Sequence, residues 1–155
     1  MLMTFISCEM SSIVSFENDD FDKMQKGEIK GSELPDVFYY TRVTTTVWVD
    51  LIFMKFSKND DFSDIDVRNI SIKDDKGNDI FLFPDMHLQA SGIINTLDNI
   101  NYEIYSFEID NEENRTRLKN YKTKLIIFSF EVDGKQYTQK LKRVEEKYPV
   151  FFFRI

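Results

Sequence analysis

Residues 125–144 restrict the fold more than any other part of this chain. Two β-prone runs, Leu125–Val132 and Lys135–Val144, flank the dipeptide Asp133-Gly134. A two-residue Asp-Gly loop between such runs marks a tight β-hairpin, because both turn positions tolerate positive φ. On the second arm Tyr137, Gln139, Leu141 and Arg143 share one face, and Gln136, Thr138, Lys140 and Lys142 share the other. The second set is polar throughout and reads as solvated. Lys140, Lys142 and Arg143 suit a sheet margin guarded by charge.

The same composition recurs upstream. Val37–Phe56 is dense in Val, Thr, Tyr, Phe and Ile, side chains that pack well on a pleated surface. The run is too long for one strand, so a bend or bulge is expected near Thr44–Thr46. Beyond it both alternating sets from Val47 to Met54 are mainly apolar, as in a central strand covered on both faces. Val67, Ile70 and Ile72 precede Asp74-Asp75-Lys76-Gly77-Asn78, and Ile80–Phe83 follows before Pro84, which predicts a second hairpin with a longer loop.

The remaining segments are shorter. Ser12–Phe16 is β-prone, and Lys23–Asp36, punctuated by Gly27, Gly31 and Pro35, reads as a loop or edge region. Asp85–Asn99 predicts a short helical turn around Gly92. Ile100–Ile109 is a strand whose apolar phase slips between Ile104 and Tyr105, as a β-bulge would cause. Asp110–Asn120 predicts one or two helical turns, capped by Asp110 or Asn111 with Glu112 and Glu113 in the first turn. Val150–Ile155, after Pro149, is expected to dock as a last strand. About eight strands with little helix indicate an all-β domain. The expected architecture is an antiparallel β-sandwich, immunoglobulin-like in outline, with an open barrel as the alternative. The Cys–Trp–Cys pattern of antibody domains is missing. A length of 155 residues suits a single domain.

A net charge of −7 argues against a nucleic-acid footprint, which needs a coherent basic patch. Acidic side chains dominate up to residue 114 and basic ones after it. Such polarity either neutralises itself in the fold or steers a partner of opposite sign. One His and one Cys cannot build a Cys/His zinc site or an internal disulfide. His87 stands in a loop-like context and reads as a surface residue rather than a catalytic base. Gly-rich phosphate loops are absent, so no cofactor is expected.

Carboxylates are the abundant resource. Asn18-Asp19-Asp20-Phe21-Asp22 is echoed by Asn59-Asp60-Asp61-Phe62-Ser63-Asp64. Neither stretch has the sixth-position Gly or twelfth-position Glu of an EF-hand loop. They read as solvated turns first and calcium ligands second. Asp19, Asp20, Asp22, Asp60, Asp61 and Asp64 are the candidate contacts to a basic protein partner. Asn69 and Asn114 sit in N-glycosylation tripeptides, a pattern common by chance. Tyr39, Tyr40, Trp48 and Phe151–Phe153 read as core first and as an exposed aromatic contact patch second.

Residues 1–7, Met-Leu-Met-Thr-Phe-Ile-Ser, are uncharged and largely apolar, and they stop at Cys8 before the polar Glu9-Met10-Ser11-Ser12. This resembles the end of a bacterial lipoprotein signal peptide, with Phe5 where Leu is usual. The resemblance implies Ser7 as the residue before cleavage and Cys8 as the lipid attachment point. Residues 1–8 are then a signal remnant and 9–155 the domain. The alternative places Leu2, Phe5 and Ile6 in a first strand with Cys8 as a small buried hydrophobe. No window approaches ~18 uninterrupted apolar residues, so membrane contact is expected only through a lipid.

The leading expectation is therefore a non-catalytic cell-envelope module for binding or assembly, tethered through Cys8. The second is an acidic immunity or inhibitor protein, cytoplasmic if untethered, that neutralises a basic protein. The third is a hydrolase using a carboxylate pair.

Overall fold

The computed structural model describes residues 5–46, 49–109 and 112–154. Strands β1 (Phe5–Glu17), β2 (Val37–Thr45), β3 (Val49–Ser57), β4 (Ile65–Asp74) and β5 (Asp79–Leu82) are followed by β6 (Met86–Leu88), β7 (Ile94–Leu97) and β8 (Ile100–Ile109). The last strands are β9 (Leu125–Val132) and β10 (Lys135–Arg154). Helix α1 (Asp19–Gln25) and a 3-10 turn at Gly31–Glu33 lie between β1 and β2, and helix α2 (Glu112–Asn120) lies between β8 and β9.

Among the described residues the strands form one ten-stranded sheet in the order β5-β4-β9-β10-β1-β2-β3-β8-β7, with β6 pairing β4. Every pairing is antiparallel. In a flat sheet of this order β9 and β3 would lie about 19 Å apart, four strand spacings. The rings of Phe53 on β3 and Phe130 on β9 are 5.1 Å apart. The sheet therefore folds over on itself and becomes a sandwich-like all-β core, as the strand-rich sequence predicts.

The core follows from period-two alternation. Ile126, Phe128, Phe130 and Val132 point inward from β9, and Val49, Leu51 and Phe53 point inward from β3. They meet Val43 from β2, Tyr105 from β8 and Leu141 from β10 in a single cluster. The outer face of β2 and β3 builds a second cluster, in which Phe38, Tyr40 and Phe56 are covered by Met24 of α1 and by Ile100. Phe21 adds ring contacts to Tyr40 at 5.7 Å and to Phe56 at 6.4 Å.

The Asp133-Gly134 turn forms as predicted, with φ of 52° and 74°, joining β9 to β10 in register. Gln136, Thr138, Lys140 and Lys142 are exposed and Leu141 is buried, as the alternation requires. In the other predicted hairpin Asp74 organises the turn. Its carboxylate accepts the amides of Lys76 and Asn78, the Asn78 side-chain amide and the Tyr121 hydroxyl. These donors, the Asn78 side chain foremost, hold the Asp74 carboxyl down to about 2.

Several expectations are corrected. The bend near Thr44–Thr46 is a full reversal between β2 and β3; Val47 and Trp48 lie outside the described residues. The predicted bulge at Ile104/Tyr105 does not exist, since β8 pairs β3 without a shift from Tyr102 to Ile109. The phase slip arises because the inward row of β8 contains a carboxylate, Glu103, which is fully buried. The register shifts instead occur in β4, between Arg68 and Ser71 and between Ile72 and Lys73, with Asn69 at φ 51°. Residues 85–99 hold β6 and β7 rather than a helical turn, and α1 occupies the acidic stretch read as solvated turns and runs into the Lys23–Asp36 region read as a loop or edge. Lys140 and Lys142 do not sit at a sheet margin, because β10 lies between β9 and β1. The apolar tail is no separate strand but the continuation of β10 along β1. Helix α2 forms where predicted, though Asp110 and Asn111 lie outside the described residues.

Candidate functional site

At the end of the sandwich where β2 begins and β3 runs out, the inward rows change from apolar to polar. Tyr39 of β2 pairs with Lys55 of β3, and Lys55 pairs with Glu103 of β8. The three residues are direct cross-strand neighbours on the inward face, one layer beyond the Phe53 layer. Neighbouring side chains in such a row stand ~5 Å apart at Cβ. Lys55 is 3% exposed and Glu103 fully buried.

The two buried charges have different surroundings. Glu103 accepts hydrogen bonds from the Ser91 hydroxyl at 3.1 Å and from the Gly92 amide. The Tyr105 hydroxyl stands 3.3 Å from its other oxygen and 3.0 Å from the Ser63 carbonyl oxygen. Lys55 has no such set: among the described residues no carboxylate lies within ion-pair distance of its ammonium and no acceptor within hydrogen-bond distance. Its side chain lines a cleft of about 350 Å³ instead.

The cleft has an aromatic wall and a charged rim. Tyr39 meets Tyr137 edge to face at 5.0 Å, and Tyr137 stacks on Phe130 at 5.2 Å. Lys135 places its ammonium 5.3 Å from the centre of the Tyr137 ring. Asp61, from the loop after β3, and Asp133, from the β9–β10 turn, stand at the mouth with Asp36. Asp36 is paired with Lys58 at 3.8 Å. The Tyr39 hydroxyl is pushed well above its ordinary range, first by burial and then by Tyr137, Asp133, Tyr105 and Asp61. It therefore stays protonated and able to donate. The Asp61 carboxyl is held below the usual range, first by the Ser63 amide and next by the charge of Lys55.

Two larger grooves lack these features. One of about 590 Å³ runs along α2 beside Thr116 and Tyr121, and one of about 610 Å³ lies between Gly27 and Asn99. Neither is lined by a buried charged side chain.

The sequence-predicted acidic residues divide into two groups. Asp19, Asp20 and Asp22 occupy the first turn of α1, where the Asn18 side chain accepts the Asp20 amide. Asp19 pairs with Lys142 and Asp20 with Lys23, while Asp22 lines a small pocket beside Phe21 and Tyr40. Asp60 accepts the Asn101 side-chain amide at 2.9 Å, and Asp64 accepts the Ala90 amide at 2.9 Å. Of the six, Asp61 alone lines the cleft. Among the described residues no three His, Cys, Asp or Glu side chains converge as metal ligands would.

His87 lies in β6, with Nδ1 2.7 Å from Asp66 and Nε2 3.3 Å from Asp64. Both ring nitrogens face carboxylates, an arrangement that favours the protonated ring. Its pKa is raised, chiefly by the Asp66 hydrogen bond. The backbone of Cys8 lies in β1, opposite Phe151 of β10. No helix among the described residues is long and apolar enough to cross a membrane.

Sequence reasoning missed Tyr39, Lys55, Glu103 and Tyr137 as site residues. The signal was present for two of them: Lys55 falls in phase with Leu51 and Phe53, and Glu103 in phase with Tyr105 and Phe107. A charge in an inward phase marks either a structural pair or a site. No protein-family model, no curated protein and no solved structure matches this chain.

Proposed function

We propose that this chain is a non-catalytic binding module whose site is the cleft at the polar end of the sandwich. On the resemblance carried by Cys8, we further place it in the bacterial cell envelope, anchored by a lipid. The observation that carries the binding role is Lys55, a lysine only 3% exposed whose side chain lines a concave, aromatic-walled cleft. Among the described residues no carboxylate lies within ion-pair distance of Lys55, although its charge acts on Asp61, so a group that enters the cleft to bond with it gains a charge-assisted hydrogen bond. Ligand sites combine apolar walls with a few convergent polar groups in this way. The acidic-inhibitor reading draws less support, because Asp19, Asp20, Asp60 and Asp64 already bond to groups of this chain.

The test is a thermal-shift screen of the purified chain against pooled small molecules grouped by charge class. A ligand at one hundred times its Kd stabilises the fold by about 2.7 kcal/mol, a rise in Tm of about 5–10 °C for a domain of this size. Lys135→Trp, which fills the mouth from an exposed position, should abolish the rise. If no pool raises Tm, or if the rise survives Lys135→Trp, the cleft is not the site. Expression with the upstream gene sequence and intact-mass analysis of the membrane fraction tests the anchor. Acyl chains on Cys8 support it, and a soluble product retaining residues 1–7 refutes it.

A further inference from the structure

Resting on the cleft as a binding site, we propose that its ligand is a small zwitterion of the free amino-acid class, with its carboxylate on the Lys55 ammonium and its own ammonium between Asp61 and Asp133. The argument begins at the floor. Lys55 has three N–H donors and is 3% exposed, so its ammonium can be satisfied only by what the cleft admits. Glu103 is its cross-strand neighbour, but the Glu103 oxygens already face the Ser91 hydroxyl, the Gly92 amide and the Tyr105 hydroxyl. Among the described residues no acceptor lies within hydrogen-bond distance of Lys55, so an acceptor that enters the cleft can meet it, and a carboxylate does so better than a neutral oxygen.

The mouth selects further. Asp61 and Asp133 both line it, and both are close enough to act on the Tyr39 hydroxyl. Asp61 and Asp133 act against a bare anion, with Lys135 beside them on the rim offsetting part of their charge, and a bare cation that reaches the floor meets Lys55. A molecule carrying both charges in that order satisfies floor and mouth together. The volume of about 350 Å³ lies at the low end for ligand sites, which suits a free small molecule. Val37, Val132 and Tyr137 supply an apolar wall for its side chain.

The experiment is isothermal titration calorimetry of the full chain at neutral pH with each common L-amino acid. The best binder is then compared with its carboxamide and its N-acetyl derivative. The carboxamide should bind at least about tenfold more weakly, and Lys55→Met should weaken the parent ligand by a similar factor. The N-acetyl form should also lose affinity, and Asp61→Asn should remove most of that difference between the two forms. Equal affinity for acid and amide overturns the proposal without any mutant, so it stands or falls even if Lys55→Met does not fold. If no amino acid binds while another class gives a cleft-dependent thermal shift, the zwitterion assignment is wrong and the binding role survives. If nothing binds, both fail.

Discussion

Two stretches of this chain are nearly identical in their letters and unlike in their structure. Asn18-Asp19-Asp20-Phe21-Asp22 opens helix α1, whereas Asn59-Asp60-Asp61-Phe62-Ser63-Asp64 is an irregular loop between β3 and β4. Both offer an Asn that could cap a helix and carboxylates suited to its first turn. The difference lies downstream. After the first stretch comes Met24, one turn beyond Phe21, and the two side chains pack together onto Tyr40, Phe56 and Ile100. After the second comes Ile65, which is fixed in β4 by its pairing with β6. The second stretch thus spans a gap between strands, with Asp60 at φ 52°, and this geometry places Asp61 at the cleft. Local capping chemistry permits a helix, and an apolar face to bury decides whether one forms.

The comparison can be broken most forcefully at Met24. Met24→Ala should destabilise the fold by about 2–4 kcal/mol, because Met24, on the buried face of α1, is 2% exposed. Phe62→Ala, in a half-buried position, should cost less than about 1.5 kcal/mol. Denaturant titration of the two variants checks this, and equal losses would mean that burial is not what separates the stretches. Asn18→Ala removes the acceptor of the Asp20 amide and should cost about 1 kcal/mol. Asn59→Ala should stay within about 0.5 kcal/mol of wild type.

A smaller effect sharpens the electrostatics. Asp64, the last carboxylate of the second stretch, shares His87 with Asp66. Because the folded-state pKa of His87 is raised, protonation stabilises the fold in full below the ordinary value of about 6.5. That contribution disappears as pH rises through the higher folded value. Asp66→Asn should move the His87 titration, followed by the NMR signals of its ring, back toward the ordinary value. An unchanged titration would show that the 2.7 Å contact does not set it.

These contrasts also show what could be read in advance. The Asp133-Gly134 hairpin and the β-rich strands were legible because turn chemistry and period-two alternation are local. Helix α1 was missed because its apolar anchors, Phe21 and Met24, are too few to set a period, and the face they cover is formed by strands later in the chain. The cleft was missed for a related reason. Tyr39, Lys55, Glu103 and Tyr137 become neighbours only when the sheet folds over and brings β2, β3 and β8 opposite β9 and β10. The carboxylates that drew attention in the sequence are mostly paired, whereas Lys55 has no carboxylate within ion-pair distance among the described residues.

The most direct test of the binding site is a map of amide chemical shifts recorded while the ligand found by the thermal screen is titrated into the isotope-labelled chain. The largest changes should fall at Tyr39, Lys55, Asp61, Asp133 and Tyr137, with α1 and α2 unmoved. Changes centred on either helix, or spread along the β1–β10 ribbon and absent from Lys55, would contradict the assignment of the cleft.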